Sequence, residues 1–351
     1  MFILPYVKLM VEKKASDLYI TANAPLKIRI EGNIMSVGRN DMSPEDVKNA
    51  AYEIMTADQI QFFESNLEAD FAIAHHQVGR FRVNVFHQRG NVAMVLRYIP
   101  SDIPQLAALN MPPILKKMIM HKRGLILMVG ATGSGKSTTL AAMLNHRNEN
   151  SAGHILTIED PIEFEHHNKK SIVNQREIGL DTHSYQNALR SSLREAPDVI
   201  LVGEIRDRET MEAALELAGT GHLCLSTLHA NNANQTLDRI INMFPEQLHK
   251  QLFMDLSLNL RGLVSQRLVM GKGNKRVAAV EVMLNTPHIA DLILKGRVDE
   301  VREAMQDSAE AGMQTFDDAL HQLYKDDRID LEEALKNADS RHNLESKINF
   351  G

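Results

Sequence analysis

Apolar positions in the first hundred residues change rhythm several times, and each rhythm predicts an element. Val7 to Lys14 has helical spacing. Leu26 to Ile30 alternates apolar with basic residues, Glu31-Gly32-Asn33 reads as a turn, and Ile34 to Val37 returns, which predicts a hairpin. Ser43-Pro44-Glu45-Asp46 has the form of a helix start, with Ser43 as N-cap and carboxylates at the positive end of the dipole, so a helix is expected to roughly Met55. Gly79 to Phe86 alternates strictly, with Arg80, Arg82 and Asn84 on one face and Phe81, Val83 and Val85 on the other. A second strand, about Val92 to Ile99, ends beside Pro100. Prolines at 104, 112 and 113 follow, and residues 101–113 read as a linker.

From Ile114 the rhythm is that of strands alternating with helices. Leu125 to Val129, His154 to Ile158, Val199 to Val202 and Leu223 to Thr227 are short apolar runs, as in a mostly parallel sheet with covered faces. Residues 114–285 therefore read as an α/β core. Residues 286–337 read as helical, with Phe316, Leu320, Leu323 and Tyr324 on one face, and 338–351 as a polar, flexible tail. A length of 351 residues agrees with about two domains, here 1–100 and 114–337.

Composition narrows the function classes. Apolar residues are 44% and charged residues 24%, as in a folded globular protein. The net charge of -6 gives no global attraction to nucleic acid or anionic membrane, and no nucleic-acid partner is expected. A single cysteine, Cys224, rules out an intramolecular disulfide and a four-cysteine zinc site, and fits a reducing compartment. No apolar run has the length of a transmembrane span, and Met1 to Met10 lacks the layout of a secretory signal.

The strongest chemical signal is Gly130-Ala131-Thr132-Gly133-Ser134-Gly135-Lys136-Ser137, followed by Thr138, placed between an apolar strand and a helix. It fits the full G-x-x-x-x-G-K-[ST] phosphate loop. Glycines let successive N–H groups turn inward and the following helix adds its positive end, so the loop cradles a nucleotide's phosphates. Lys136 would reach the β- and γ-phosphates and Ser137 would offer a hydroxyl to Mg²⁺. Asp198 to Val202 is an apolar run that ends in Gly203-Glu204, which makes Glu204 the candidate metal-directed carboxylate. The strand at 154–158 runs into Glu159, Asp160 and Glu163, and one of these carboxylates is placed to orient the attacking water.

Four segments resemble a known family, the secretion-type ATPases that power type II secretion and type IV pili. GATGSGKST at 130–138 is similar to their Walker A, TIEDPIEF at 157–164 to their Asp box, LREAPDVILVGEIRD at 193–207 to their Walker B, and GTGHLCLSTLHA at 219–230 to their His box. The resemblance implies a PAS-like N-terminal α/β domain joined to a RecA-like ATPase domain with C-terminal helices. It implies that Glu204 serves Mg²⁺, that Glu163 polarises the water, and that His222 and His229 sense the nucleotide or link it to the neighbouring subunit. It also places Arg82 and Arg97 where the family inserts arginines into a neighbour's site; Arg190 and Arg194, four apart on an expected helix, rank below them.

Within that family the missing cysteine quartet points toward the type IV pilus retraction motors. Those motors carry an AIRNLIRE-like helix after an Asn-Thr-Pro turn. Here Asn285-Thr286-Pro287 is followed by HIADLILKG at 288–296, and with GMQTFDDAL at 312–320 this resembles the accessory branch. The implied protein is a cytoplasmic homo-hexamer at the inner-membrane pilus base, hydrolysing ATP with Mg²⁺ between its two domains as they rotate about the linker. Its implied partners are a paralogous retraction ATPase and the platform protein. A non-catalytic nucleotide-binding adaptor remains the alternative, and a small-molecule P-loop kinase ranks below it.

Overall fold

The computed structural model describes residues 2–30, 32–76, 78–273, 275–308 and 312–350. They form two compact units, Met1–Asp102 with Glu163–Glu165, and Ile103–Ile162 with His166–Gly351. Among the described residues no helix is long and apolar enough to cross a membrane.

The first unit runs α1 (Leu4–Glu12), β1 (Asp17–Thr21), β2 (Leu26–Ile30), β3 (Asn33–Val37), α2 (Pro44–Tyr52), α3 (Ala57–Asn66), β4 (Glu68–His75), β5 (Gly79–Gln88) and β6 (Asn91–Ile99). Its six-stranded sheet has the order β3-β2-β1-β6-β5-β4 and is antiparallel throughout. The expected hairpin is β2–β3, paired from Leu26↔Val37 to Ile30↔Asn33; Glu31 of its turn lies outside the described residues. The alternation in β5 holds, with Phe81, Val83 and Val85 buried beside Val7, Val47 and Phe63 from the helices. Ser43 starts α2 through a capping box with Asp46, as the sequence predicts. That helix stops at Tyr52 rather than near Met55, because Thr56 caps α3 through a second box with Gln59 and the chain must leave helical geometry to reach it.

The second unit runs α4 (Ile114–Met118), β7 (Gly124–Val129), α5 (Lys136–Asn150), β8 (Gly153–Glu159), β9 (Ser171–Glu177), α6 (Tyr185–Ser192), β10 (Val199–Glu204), α7 (Arg208–Gly219), β11 (Leu223–Leu228), α8 (Ala233–Asn242), α9 (His249–Asn259), β12 (Leu260–Met270), β13 (Arg276–Leu284), α10 (Pro287–Leu294), α11 (Val301–Gln306), α12 (Phe316–Lys325), α13 (Leu331–Asn337) and α14 (Arg341–Phe350). Seven strands lie in the order β13-β12-β7-β11-β10-β8-β9. All neighbours are parallel except β12 and β13. All six residues of β7 are buried, as a central strand covered on both faces requires. The parallel arrangement gathers the ends of β7, β11 and β10 at one edge, where ligands bind in such sheets.

Two expectations at the chain's joints are corrected. The stretch read as a linker, 101–113, belongs from Ile103 onward to the second unit: Leu106 and Met111 are buried in its core, with Ile103 and Leu109 packed on them. Prolines prevent a long helix there, but an apolar residue about every third position still gives the segment a side to bury.

The segment read as a flexible tail is folded as well. α14 packs Leu344, fully buried, into a cluster with Val269, Phe316, Leu320 and Leu323, and Ile348 adjoins it. Asp317 accepts hydrogen bonds from the backbone N–H groups of Asp339 and Ser340, which fixes the chain just ahead of α14. Arg267 on β12 closes the arrangement. Its guanidinium lies 3.8 Å from the centre of the Phe316 ring, donates to the Asn337 and Asn231 carbonyls, and pairs with Asp339 at 2.6 Å. Leu344→Ala is expected to cost about 2–4 kcal/mol, the range for a buried leucine, and to speed hydrogen exchange throughout α14. A loose tail would leave urea denaturation and exchange unchanged.

Candidate functional site

The loop between β7 and α5 is shaped for an anion. Gly130 and Gly135 take positive φ, 148° and 87°, and Gly135 is the N-cap residue just before helix α5. Ala131, Thr132 and Gly133 are exposed, whereas Ser134 is buried and Ser137 and Thr138 are half-buried. Lys136 is 8% exposed, and its Nζ donates to the Gly130 carbonyl at 2.7 Å and the Ala131 carbonyl at 2.9 Å. A buried ammonium at a helix N-terminus, resting on neutral carbonyls, is an electrostatic setting that favours a polyanion such as a nucleotide's phosphates.

Beside the loop, along the same edge, stands Glu204. β11 lies between β7 and β10, with Leu228 level with Val129 and Thr227 level with Glu204. His229 follows β11 directly and sets Nε2 3.0 Å from Glu204 Oε1, while Arg206 sets Nε and Nη2 each 2.8 Å from Oε2. Glu204 is thus held from both sides. Gly203 is required here, because a Cβ would stand 2.8 Å from the hydroxyl of Tyr185, whose phenol is pushed well above its ordinary pKa by burial and then by Asp160.

His222 does not join this cluster. It precedes β11, and its carbonyl accepts from Gly124 at the start of β7, so it sits at the opposite edge of the sheet, roughly 20 Å away along a six-residue strand. Its Nδ1 lies 3.2 Å from the Leu217 carbonyl. Glu163 is exposed and is grouped with the first unit, where Glu165 N donates to the Pro100 carbonyl at 3.0 Å. Of the other carboxylates after β8, Glu159 accepts from the Thr157 hydroxyl at 2.6 Å and Gln175 Nε2 at 3.2 Å, and Asp160 is exposed. Arg190 closes α6, but Arg194 lies beyond the helix end at Ser192, and both are exposed.

In the first unit Arg82 and Arg97 are direct cross-strand partners on β5 and β6. Two like charges so placed repel one another. Acids offset this: Arg97 Nε donates to buried Asp17 at 2.9 Å, with Arg29 3.7 Å from the same carboxylate, and Arg82 lies 3.9 Å from Asp70. Arg97 remains 64% exposed, open to a second anionic partner.

The donor set suits Mg²⁺. The Ser137 hydroxyl and the Glu204 carboxylate are hard oxygens, and Mg²⁺ takes few protein ligands beside phosphate oxygens and water.

A family model described as Type II/IV secretion system protein matches residues 1–341. The chain belongs to this family. It is 53% identical over 348 residues to the type IV pilus ATPase PilU of Pseudomonas aeruginosa, covering 98% of this chain and 91% of that protein. It is 44% identical over 324 residues to the retraction ATPase PilT of the same organism, covering 92% and 94%. The crystal structure of the pilus retraction motor PilT with bound ADP matches it with a TM-score of 0.91 at 44% identity, over 98% of both chains. The expected kinship with retraction-type secretion ATPases therefore holds, and the chain is a P-loop ATPase with the expected two-part α/β fold.

Sequence reasoning missed Arg206, Tyr185, Gln266 and Glu281. The last two left a trace: polar residues inside apolar runs, Gln266 in GLVSQRLV and Glu281 in VAAVEVML. Glu281 is buried on β13, and its Oε1 accepts from Ala233 N at 2.7 Å and the Ser265 hydroxyl at 3.0 Å, which fixes the start of α8 just past His229. Burial lifts its carboxyl to about 7, against the hydrogen bonds, which act to lower it. The folded chain then holds a proton that the unfolded chain releases near pH 4.3, so this group's contribution to stability falls as pH rises from about 4.3 to 7 and is level above. Glu281→Gln is expected to be more stable than wild type at about pH 8, on the order of 1–3 kcal/mol, with the gap closing near pH 4.5. Urea titrations at both pH values check this, and a gap that does not change with pH would refute it.

Proposed function

We propose that this chain is a motor subunit that couples ATP hydrolysis to retraction of a type IV pilus, working as a homo-hexamer beside a paralogous retraction ATPase at the cytoplasmic face of the pilus base. The observation that carries the proposal is Lys136, a buried cation folded onto the carbonyls of its own loop and ready to turn to a nucleotide's β- and γ-phosphates. The likeness to PilU and PilT supplies the pilus, and the altered helix after Asn285-Thr286-Pro287 supports the accessory role.

In this reading the loop N–H groups and Lys136 bind the phosphate chain, and Ser137 and Glu204 hold Mg²⁺. The ion neutralises part of the phosphate charge. His229 and Arg206 keep Glu204 aimed. Glu163 orients the attacking water, which adds to the γ-phosphorus as ADP leaves. Arg82 and Arg97 of one subunit meet the γ-phosphoryl charge in the next, a task suited to a guanidinium. His222, at the far edge, serves the contact between subunits rather than the phosphates of its own chain.

Phosphate release from Mg-ATP, followed with oligomeric mass by light scattering, tests the reading. Wild type is expected to turn over as a hexamer, and Lys136→Ala and Glu204→Ala to lose at least about a hundredfold. Arg82→Ala and Arg97→Lys are expected to bind ATP and assemble yet turn over slowly; lysine is chosen at 97 so that buried Asp17 keeps a cation. ATP binding by wild type without turnover would reject the motor and support a nucleotide-binding adaptor.

A further inference from the structure

The phosphate loop is gripped from behind by a residue outside every motif considered above. Gln266 lies on β12, the strand beside β7, and is 2% exposed. Its Nε2 donates to the Ser134 carbonyl at 2.8 Å, and its Oε1 accepts from the Thr139 hydroxyl at 2.8 Å. One amide thus ties the turn of the loop to the opening turns of α5, and both bonds are buried.

The backbone closes on the same residue. A Cβ at Gly130 would collide with the Gln266 carbonyl oxygen, and one at Gly135 would stand 2.7 Å from Gln266 Nε2. Gly130 is thus needed by the backbone at 266, and Gly135 by the Gln266 amide itself. A carboxamide alone fits these partners, since it offers a donor and an acceptor at one end. Glutamate would set a carboxylate oxygen against the Ser134 carbonyl, and methionine fills similar space with no strong donor or acceptor.

We propose that Gln266 is a positioning residue for nucleotide binding. In a trans peptide the C=O and the next N–H point in opposite directions. Holding the Ser134 carbonyl back toward β12 turns the Gly135 N–H away from the strand, toward the mouth of the loop where phosphate binds. Gln266 never touches the nucleotide; it fixes the donors that do. The inference rests on the ATPase reading, and its test separates the two.

The full chain is compared with Gln266→Met, Gln266→Glu and Thr139→Val, measuring binding of a fluorescent ADP analogue, KM and kcat for ATP, and thermal midpoints. Both Gln266 variants are expected to weaken ADP binding and raise KM about tenfold with kcat within about threefold, because the loop holds ground state and transition state alike. Thr139→Val, which spares the Ser134 bond, is expected to change binding less than threefold. Wild-type affinity in either Gln266 variant overturns the proposal, as does equal weakening by Thr139→Val, which would make the amide a fastener of α5 and no more. Should Gln266→Met fail to fold, Gln266→Glu carries the same comparison. A wild-type chain that does not bind ADP would sink the ATPase reading itself.

Discussion

The ammonium of Lys136, buried against the Gly130 and Ala131 carbonyls, sets the terms for the rest of the second unit. A cation taken out of water has to be met by oriented dipoles or by an anion. The two carbonyls help to meet it here, and in the proposed ATPase reading an incoming triphosphate takes their place. That exchange works only if the loop stays curled, which requires glycine at 130 and 135, a rigid strand ahead and a helix start behind. β7 supplies the rigidity by being buried at all six positions. Its parallel neighbours β11 and β10, whose pairing shifts by a residue between Val202 and Glu204, deliver His229 and Glu204 to the same edge.

In the first unit the constraint is the reverse, because half-buried Arg82 and exposed Arg97 must coexist. Arg82 and Arg97 face each other across two strands, and Asp17 and Asp70 make this tolerable. Asp17 is the costlier partner. It is buried, and Arg97 and Arg29 both compensate its charge. An anion that draws Arg97 away leaves Asp17 to Arg29, so recruiting this arginine is opposed by a carboxylate of its own sheet.

Much of this was legible in the residues. The runs at 125–129, 199–202 and 223–227 are largely apolar because parallel strands are covered on both faces, and the phosphate loop announces itself by its spacing. Ser43 with Asp46 gave the start of α2. What escaped depends on long-range packing. β12 and β13 were not picked out among the strands, because what matters about them is their place in the order β13-β12-β7. The stretch at 101–113 looked like a linker because prolines dominate it, although Leu106 and Met111 decide where it lies. The end of the chain looked polar because, among its described residues, few apolar side chains besides Ala338, Leu344 and Ile348 pack inward. His222 and His229 seemed equivalent in a motif, yet a strand of six residues carries them to opposite edges. Gln266 shows in the sequence only as a polar residue in an apolar run, and its role stayed hidden because its partners lie more than a hundred residues away.

Gln266 and Arg267 are consecutive residues of β12. One holds the Ser134 carbonyl, and the other holds Asp339, Asn337 and the ring of Phe316. The first reaches the nucleotide loop and the second reaches the end of the chain, with a single peptide link between them. For anyone wishing to watch this protein at work, that adjacency selects a labelling position. A dye at exposed Asn343, on α14, sits at the far end of a short chain of contacts that begins at the Ser134 carbonyl of the phosphate loop. Its emission is expected to follow nucleotide arrival without any label in the site itself.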